Sequence, residues 1–232
     1  MSNRFMKNKM IFGLMTMLAS GMSCAVAAPD KGAAKEGGAK HDETVLIPAG
    51  KFLFGKNKKE VNLPAFTIDK YEVTNKQYAK FNLDHKYEPQ LANFPVTMVT
   101  LEDAKSHCEA LDKRLPTEQE WEKAARGTDG RIYPWGNDFE ADRAITSETD
   151  FEGHPPQPLK GGSRPKGKSP YGVMDMAGNL WEWTASFDER YSILKGGSYF
   201  DDQDYAMSTS RLKSIPEDTK DYFGFRCVKD AK

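Results

Sequence analysis

The sequence predicts an α+β domain of short helices, short strands and much loop. Three observations carry that expectation. Threonine-led capping patterns open at Thr74, Thr100 and Thr117. Short apolar runs are broken by Pro and Gly. Residues 128–170 are rich in Gly, Pro, Asp and Ser and hold neither a helical nor a strand period. The length of 232 residues suits one domain or two small ones. Thirty-three basic residues against 34 acidic ones give a net charge of −1, which offers no basic surface for nucleic acid. With 38% hydrophobic and 29% charged residues, the chain is too apolar for full disorder and too polar for a multi-span membrane protein.

The first segment is an address. Arg4, Lys7 and Lys9 precede an apolar or small stretch from Met10 to Met22, and Ala25-Val26-Ala27 offers a small-residue cleavage site. Residues 1–27 therefore read as a signal peptide cleaved near Ala27, which places the mature chain in the periplasm. The apolar run is too short to span a bilayer. A membrane anchor is one alternative. Lipid anchoring at Cys24 is another, although Gly21 stands three residues before it, where an aliphatic residue is usual. The mature chain keeps 30 basic and 34 acidic residues, a net charge of −4. Residues 28–43 are rich in Lys, Ala and Gly and read as a flexible linker. Residues 44–232 form the folded domain.

Val45-Leu46-Ile47 and Phe52-Leu53-Phe54 predict short strands around a Pro48-Ala49-Gly50 turn. Thr74 with Gln77 predicts a short helix carrying Tyr78 and Phe81 inward. Thr100 with Asp103 opens a second helix with Leu101, Ala104, Cys108 and Leu111 on one face. Its acids lie in the first turn and Lys113 and Arg114 at its end, as the helix dipole favours. Thr117 with Glu120 opens a third helix carrying Trp121, Ala124 and Ala125, with Gly127 as its stop. A long loop such as 128–170 inside a compact domain is usually functional or pinned. Strands return near Tyr191–Lys195 and Phe223–Val228. The mature chain keeps two cysteines, Cys108 and Cys227. In an oxidising compartment this even pair suggests one disulfide, against two unpaired buried thiols.

Four segments go beyond generic pattern. Ile47-Pro48-Ala49-Gly50-Lys51-Phe52 is followed by Tyr71-Glu72-Val73-Thr74-Asn75. Lys113-Arg114-Leu115-Pro116-Thr117-Glu118-Gln119-Glu120-Trp121-Glu122 leads to Ala124-Ala125-Arg126-Gly127 and Tyr133-Pro134-Trp135-Gly136. The third is Tyr171-Gly172-Val173-Met174-Asp175-Met176-Ala177-Gly178-Asn179-Leu180-Trp181-Glu182-Trp183-Thr184. The fourth is Lys195-Gly196-Gly197-Ser198-Tyr199, then Gly224-Phe225-Arg226-Cys227. Together they resemble the formylglycine-generating enzyme family, also called the sulfatase-modifying factor family, over roughly residues 44–229. The resemblance implies a C-type-lectin-like α+β fold. It also matches Cys108 and Cys227 to a structural disulfide.

The departure lies in the fourth segment. The resemblance implies two copper-binding cysteines just after Gly-Gly-Ser-Tyr, and the matching positions are Asp201 and Ala206. Neither is a soft thiolate ligand for Cu(I). This argues against copper-dependent formylglycine synthesis. A histidine-iron branch of the family is not matched either: His41, His85, His107 and His154 lack metal-ligand spacing. Neither copper nor iron is therefore expected.

The resemblance implies calcium in the third segment, on the carbonyls of Asp175, Gly178 and Leu180 and the carboxylate of Glu182. Calcium wants hard oxygens in irregular loops. Glu182 lies between two tryptophans, so a buried charge there needs a partner, either a cation or an arginine such as Arg226. A second calcium site would fall within 142–151, around Asp150 and Phe151. Trp121, Trp135, Trp181 and Trp183 read better as core than as a sugar platform. Tyr199, Asp201, Asp202 and Asp204 mark a candidate groove, where the resemblance implies peptide binding.

The expected function is an exported accessory protein that binds a periplasmic protein or peptide segment for maturation, regulation or assembly. One alternative is a maturation enzyme of different chemistry, acting on a peptide or small molecule. The other is a lectin-like ligand-binding module.

Overall fold

Each threonine cap does what its spacing predicts. In the computed structural model, which describes residues 42–231, Thr74 opens helix α1 (Asn75–Phe81), Thr100 opens α2 (Leu101–Ala110) and Thr117 opens α3 (Glu118–Arg126). All three are complete capping boxes, so orphan amides at each helix start are satisfied locally. Gly127 ends α3 at φ 73°, a conformation glycine adopts without strain. The expected signal peptide, Cys24, His41 and almost all of the expected linker lie outside the described residues.

The described residues also form nine strands: β1 (Thr44–Ile47), β2 (Gly50–Phe54), β3 (Lys59–Leu63), β4 (Phe66–Asp69), β5 (Trp181–Asp188), β6 (Tyr191–Lys195), β7 (Leu212–Ser214), β8 (Phe223–Gly224) and β9 (Val228–Asp230). They form sheets of order β1-β4-β9, β2-β3 and β7-β6-β5-β8. The strands flanking Pro48-Ala49-Gly50 do not pair with each other. β1 pairs with β4 and β2 with β3, so that turn passes the chain between sheets. Strand β5 is absent from the sequence expectation because Trp181, Glu182, Trp183 and Thr184 are all buried, leaving no alternation to read. The run expected over Phe223–Val228 is two strands. β8 runs parallel to β5 and β9 antiparallel to β4, while Phe225, Arg226 and Cys227 between them turn into the core.

Residues 128–170 hold only two 3-10 turns, at Ala141–Arg143 and Pro165–Gly167, as the missing periodicity predicts. No helix among the described residues is long and apolar enough to cross a membrane.

One core cluster joins α1 and α2 to the β5 sheet, with Tyr78, Cys108, Trp181, Trp183 and Phe225 inside it. A second joins α3 to the β1-β4-β9 sheet through Ile47, Phe66, Trp121, Met176 and Val228. Cys108 and Cys227 are disulfide-bonded, 119 residues apart, and fully buried. Two expected core positions stand outside. Phe81 is 39% exposed at the last residue of α1. Leu111 is 52% exposed because α2 ends at Ala110, turning the next residue off the helix register.

Candidate functional site

The loop after β6 begins with Gly196 and Gly197, both at positive φ. A Cβ on Gly197 would lie 2.7 Å from the Tyr205 carbonyl, so only glycine lets this turn fold against 205–206. Asp201 holds the turn from below. Its Oδ2 accepts from the Ser198 amide (2.9 Å), the Ser198 hydroxyl (2.5 Å) and the Trp181 indole (2.8 Å). Charge-assisted bonds of this kind are the stronger ones. Tyr199 is buried, and burial together with nearby Asp221 pushes its phenol well up. Ala206 is fully buried.

Of the four residues expected to line the groove, Tyr199 and Asp201 thus face inward, and Asp202 and Asp204 face solvent. The two exposed acids border a 540 Å³ cleft with Tyr205 and Ser210, opposite Lys56 and Arg211. The loop is pinned at its back, where the Gln203 amide bonds Glu148 (3.2 Å) and the Tyr133 hydroxyl bonds the Gln203 carbonyl (3.2 Å). The cleft therefore sits on a fixed edge and carries both signs of charge, a surface able to read a polar segment.

The third segment runs into β5, which carries both Trp181 and Glu182. Gly178 packs against the Ile145 carbonyl so closely that a Cβ would sit 2.1 Å from it. Glu182 is fully buried. Arg226 donates to both its oxygens at 2.7 Å, and Trp121 Nε1 adds a third bond at 2.8 Å. Burial lowers the Arg226 pKa, but Glu182 more than offsets this and leaves the guanidinium above its usual range. Arg226 also donates to the carbonyls of Asp69 (3.2 Å) and Lys70 (3.1 Å).

Two more buried acids surround this pair. Glu72 accepts from the Asn179 amide at 2.9 Å on each oxygen, and burial followed by Asp175 and Glu182 pushes it well above the carboxylate range. Asp175 accepts from the Gly162 amide at 2.7 Å, and burial pushes it up to about 6. Three carboxylates therefore share one guanidinium.

The fit to calcium divides among the expected ligands. Glu182 already has its counter-charge in Arg226. The Asp175 carboxylate, which is not among the expected ligand atoms, is a buried hard-oxygen donor in a region of excess negative charge, which suits a hard cation. Among the described residues, no three His, Cys, Asp or Glu side chains converge as a metal cluster. In the second expected calcium segment, Asp142 pairs with Lys166 at 2.9 Å, and Asp150 caps its own turn through the Glu152 amide at 2.8 Å. Phe151 is half-buried.

Three of the four tryptophans are buried, and Trp135 stacks on Tyr133 at 5.3 Å. His85 bonds Asn75 at 2.9 Å, and His154 is exposed. The roles of Glu72 and Asn179 were not visible in sequence. Both sit inside motif segments, but only their approach across the fold pairs them.

A family model described as the sulfatase-modifying factor enzyme 1-like domain matches residues 30–231. The chain belongs to that family. Among curated proteins, it is 30% identical to inactive C-alpha-formylglycine-generating enzyme 2 of Bos taurus, covering 81% of this chain and 88% of that one. It is 32% identical to YfmG of Bacillus subtilis (strain 168) over 82% of this chain, but spans only 55% of that protein's length. Among solved structures, PvdO from Pseudomonas aeruginosa superposes with a TM-score of 0.69 at 20% identity, covering 81% of this chain and 94% of that one. That likeness shows the sulfatase-modifying factor fold, the C-type-lectin-like α+β architecture that the motifs imply.

Proposed function

We propose that this is an exported accessory domain that binds a polypeptide segment rather than oxidising cysteine to formylglycine. The observation that carries this reading is the use of Asp201. Where the family's thiol chemistry needs cysteine, this chain has a carboxylate committed to three internal hydrogen bonds and a buried alanine at 206. The only cysteines after residue 27 are the buried, bonded pair Cys108–Cys227. A relative of 30% identity carries the name of an inactive enzyme, which agrees with this reading. The cleft beside Asp202 and Asp204 is the surface for the partner, and its Lys56 and Arg211 favour a segment with both charge signs.

The test is crosslinking with mass spectrometry in the native host, with the full chain as bait. We expect one stoichiometric protein partner, lost on Asp202→Lys with Asp204→Lys and kept on Asp201→Asn. Conversion of a cysteine peptide to formylglycine by the copper-loaded protein would overturn the reading. Calcium at the Asp175 loop is part of the proposal as a stabiliser, supported by the excess buried negative charge there.

A further inference from the structure

A second cavity, of 390 Å³, opens between α1 and α2 and shares no lining residue with the Asp202–Asp204 cleft. Volumes of this size suit small-molecule ligands. Its walls are Val73, Phe81, Ala110 and Leu111, and His107 lies in its lining. Phe81 and Leu111 are the two apolar residues that the helical pattern places in the core and the fold leaves uncovered.

His107 is the buried imidazole of this lining, which also holds Gln77 and the charged residues Asp42, Asp69, Lys80 and Lys113. It is only 2% exposed, and its ring is held by Tyr78, Phe81 and Phe225 at centroid distances of 5.6, 5.4 and 5.3 Å. Its Nδ1 is buried without a hydrogen-bond partner. An orphaned buried N–H is rarer than an under-satisfied acceptor, which puts the ring proton on Nε2. Burial, then Lys113, lowers its pKa to about 4, so the ring is neutral near pH 7.

The cavity's charges balance. Asp69 pairs with Lys113 at 2.5 Å, and Asp42 and Lys80 add one charge of each sign. Neither an anion nor a cation gains from such a rim.

We propose that this cavity is a binding site for a small neutral aromatic molecule with an oxygen acceptor, of the phenol class. The ligand's ring takes the place of missing core between Phe81 and Leu111, where edge-to-face contacts with the existing aromatics are available. Its oxygen accepts from His107 Nε2.

The experiment is a titration of 4-fluorophenol into the full chain. It is followed by the nitrogen–proton correlations of the histidine rings and by fluorine line width. A ligand this small binds at about millimolar Kd at ordinary ligand efficiency. We expect the His107 ring signals to shift and saturate while those of His154 stay still. His107→Phe keeps the ring packing and removes the donor, and should weaken binding about tenfold, the worth of one hydrogen bond. Ala110→Trp, on the exposed end of α2, blocks the cavity without touching the core and should abolish binding. A melting curve for each variant reports the fold independently. The proposal is overturned by the absence of a saturable His107 shift. It is equally overturned by affinity that ignores both substitutions.

Discussion

Arg226→Met is the substitution that tests the interior most directly. The side chain is fully buried, donates to both Glu182 oxygens at 2.7 Å, and reaches two backbone carbonyls. Met has a similar length, so the change removes charge more than volume. Breaking a buried pair from one side typically costs about 3–5 kcal/mol, because the remaining charge is left without compensation. Two unpaired carbonyls add about 1–3 kcal/mol each. The expected loss of about 5 kcal/mol or more is comparable with the total stability of many domains, about 5–15 kcal/mol.

Urea unfolding followed by tryptophan fluorescence measures the loss. Glu182→Leu added to Arg226→Met should recover most of the loss, since an apolar pair of similar volume often matches a buried ion pair. A loss under about 1 kcal/mol, or a double variant no better than the single, would refute the reasoning.

Three further outcomes are expected. Replacing both Cys108 and Cys227 by Ala opens a loop closed over a separation of 119 residues, and on chain entropy alone should lower stability by about 5 kcal/mol; equal urea midpoints with and without the bond would sink this. His107 has a folded pKa lowered to about 4, so its contribution is present above the unfolded value near 6.5 and is lost as pH falls toward 4. His107→Phe should remove about 2 kcal/mol of that acid sensitivity, read as a flatter stability curve over this window. Excess EDTA should lower the melting temperature if calcium occupies the Asp175 loop, and Asp175→Asn should abolish the effect while keeping the backbone, since Asn tolerates the φ of 58° found there. A melting temperature indifferent to chelator counts against calcium.

What the sequence made legible was mostly local. The capping boxes, the Gly127 stop and the irregular 128–170 interval depend on neighbours a few residues apart, and each appears where its pattern puts it. Strand β5 was hidden because burial on both faces erases the period of two. The partner of β1 could not be read because the turn that follows it joins sheets rather than strands. In the candidate site, the missing thiols were plain from Asp201 and Ala206. The inward turn of Asp201 was not, because the indole it accepts from lies 20 residues away and is brought there by the fold. Arg226 as the partner of Glu182 was one of two alternatives in sequence, and the structure assigns it that role.

Strand β4 lies between the first strand of the domain and the last, with β1 on one edge and β9 on the other. This arrangement bears on the order of events during synthesis. A chain released from its amino end presents β1 and β4 early, yet the sheet is complete only when residues 228–230 arrive. The same final stretch brings Arg226 to Glu182 and Cys227 to Cys108. Contacts so distant along the chain slow folding, since loop closure precedes their reward. The domain is therefore committed to late completion. A stop directly after Gly224 deletes the closing strand, the guanidinium of the core and one half of the crosslink together.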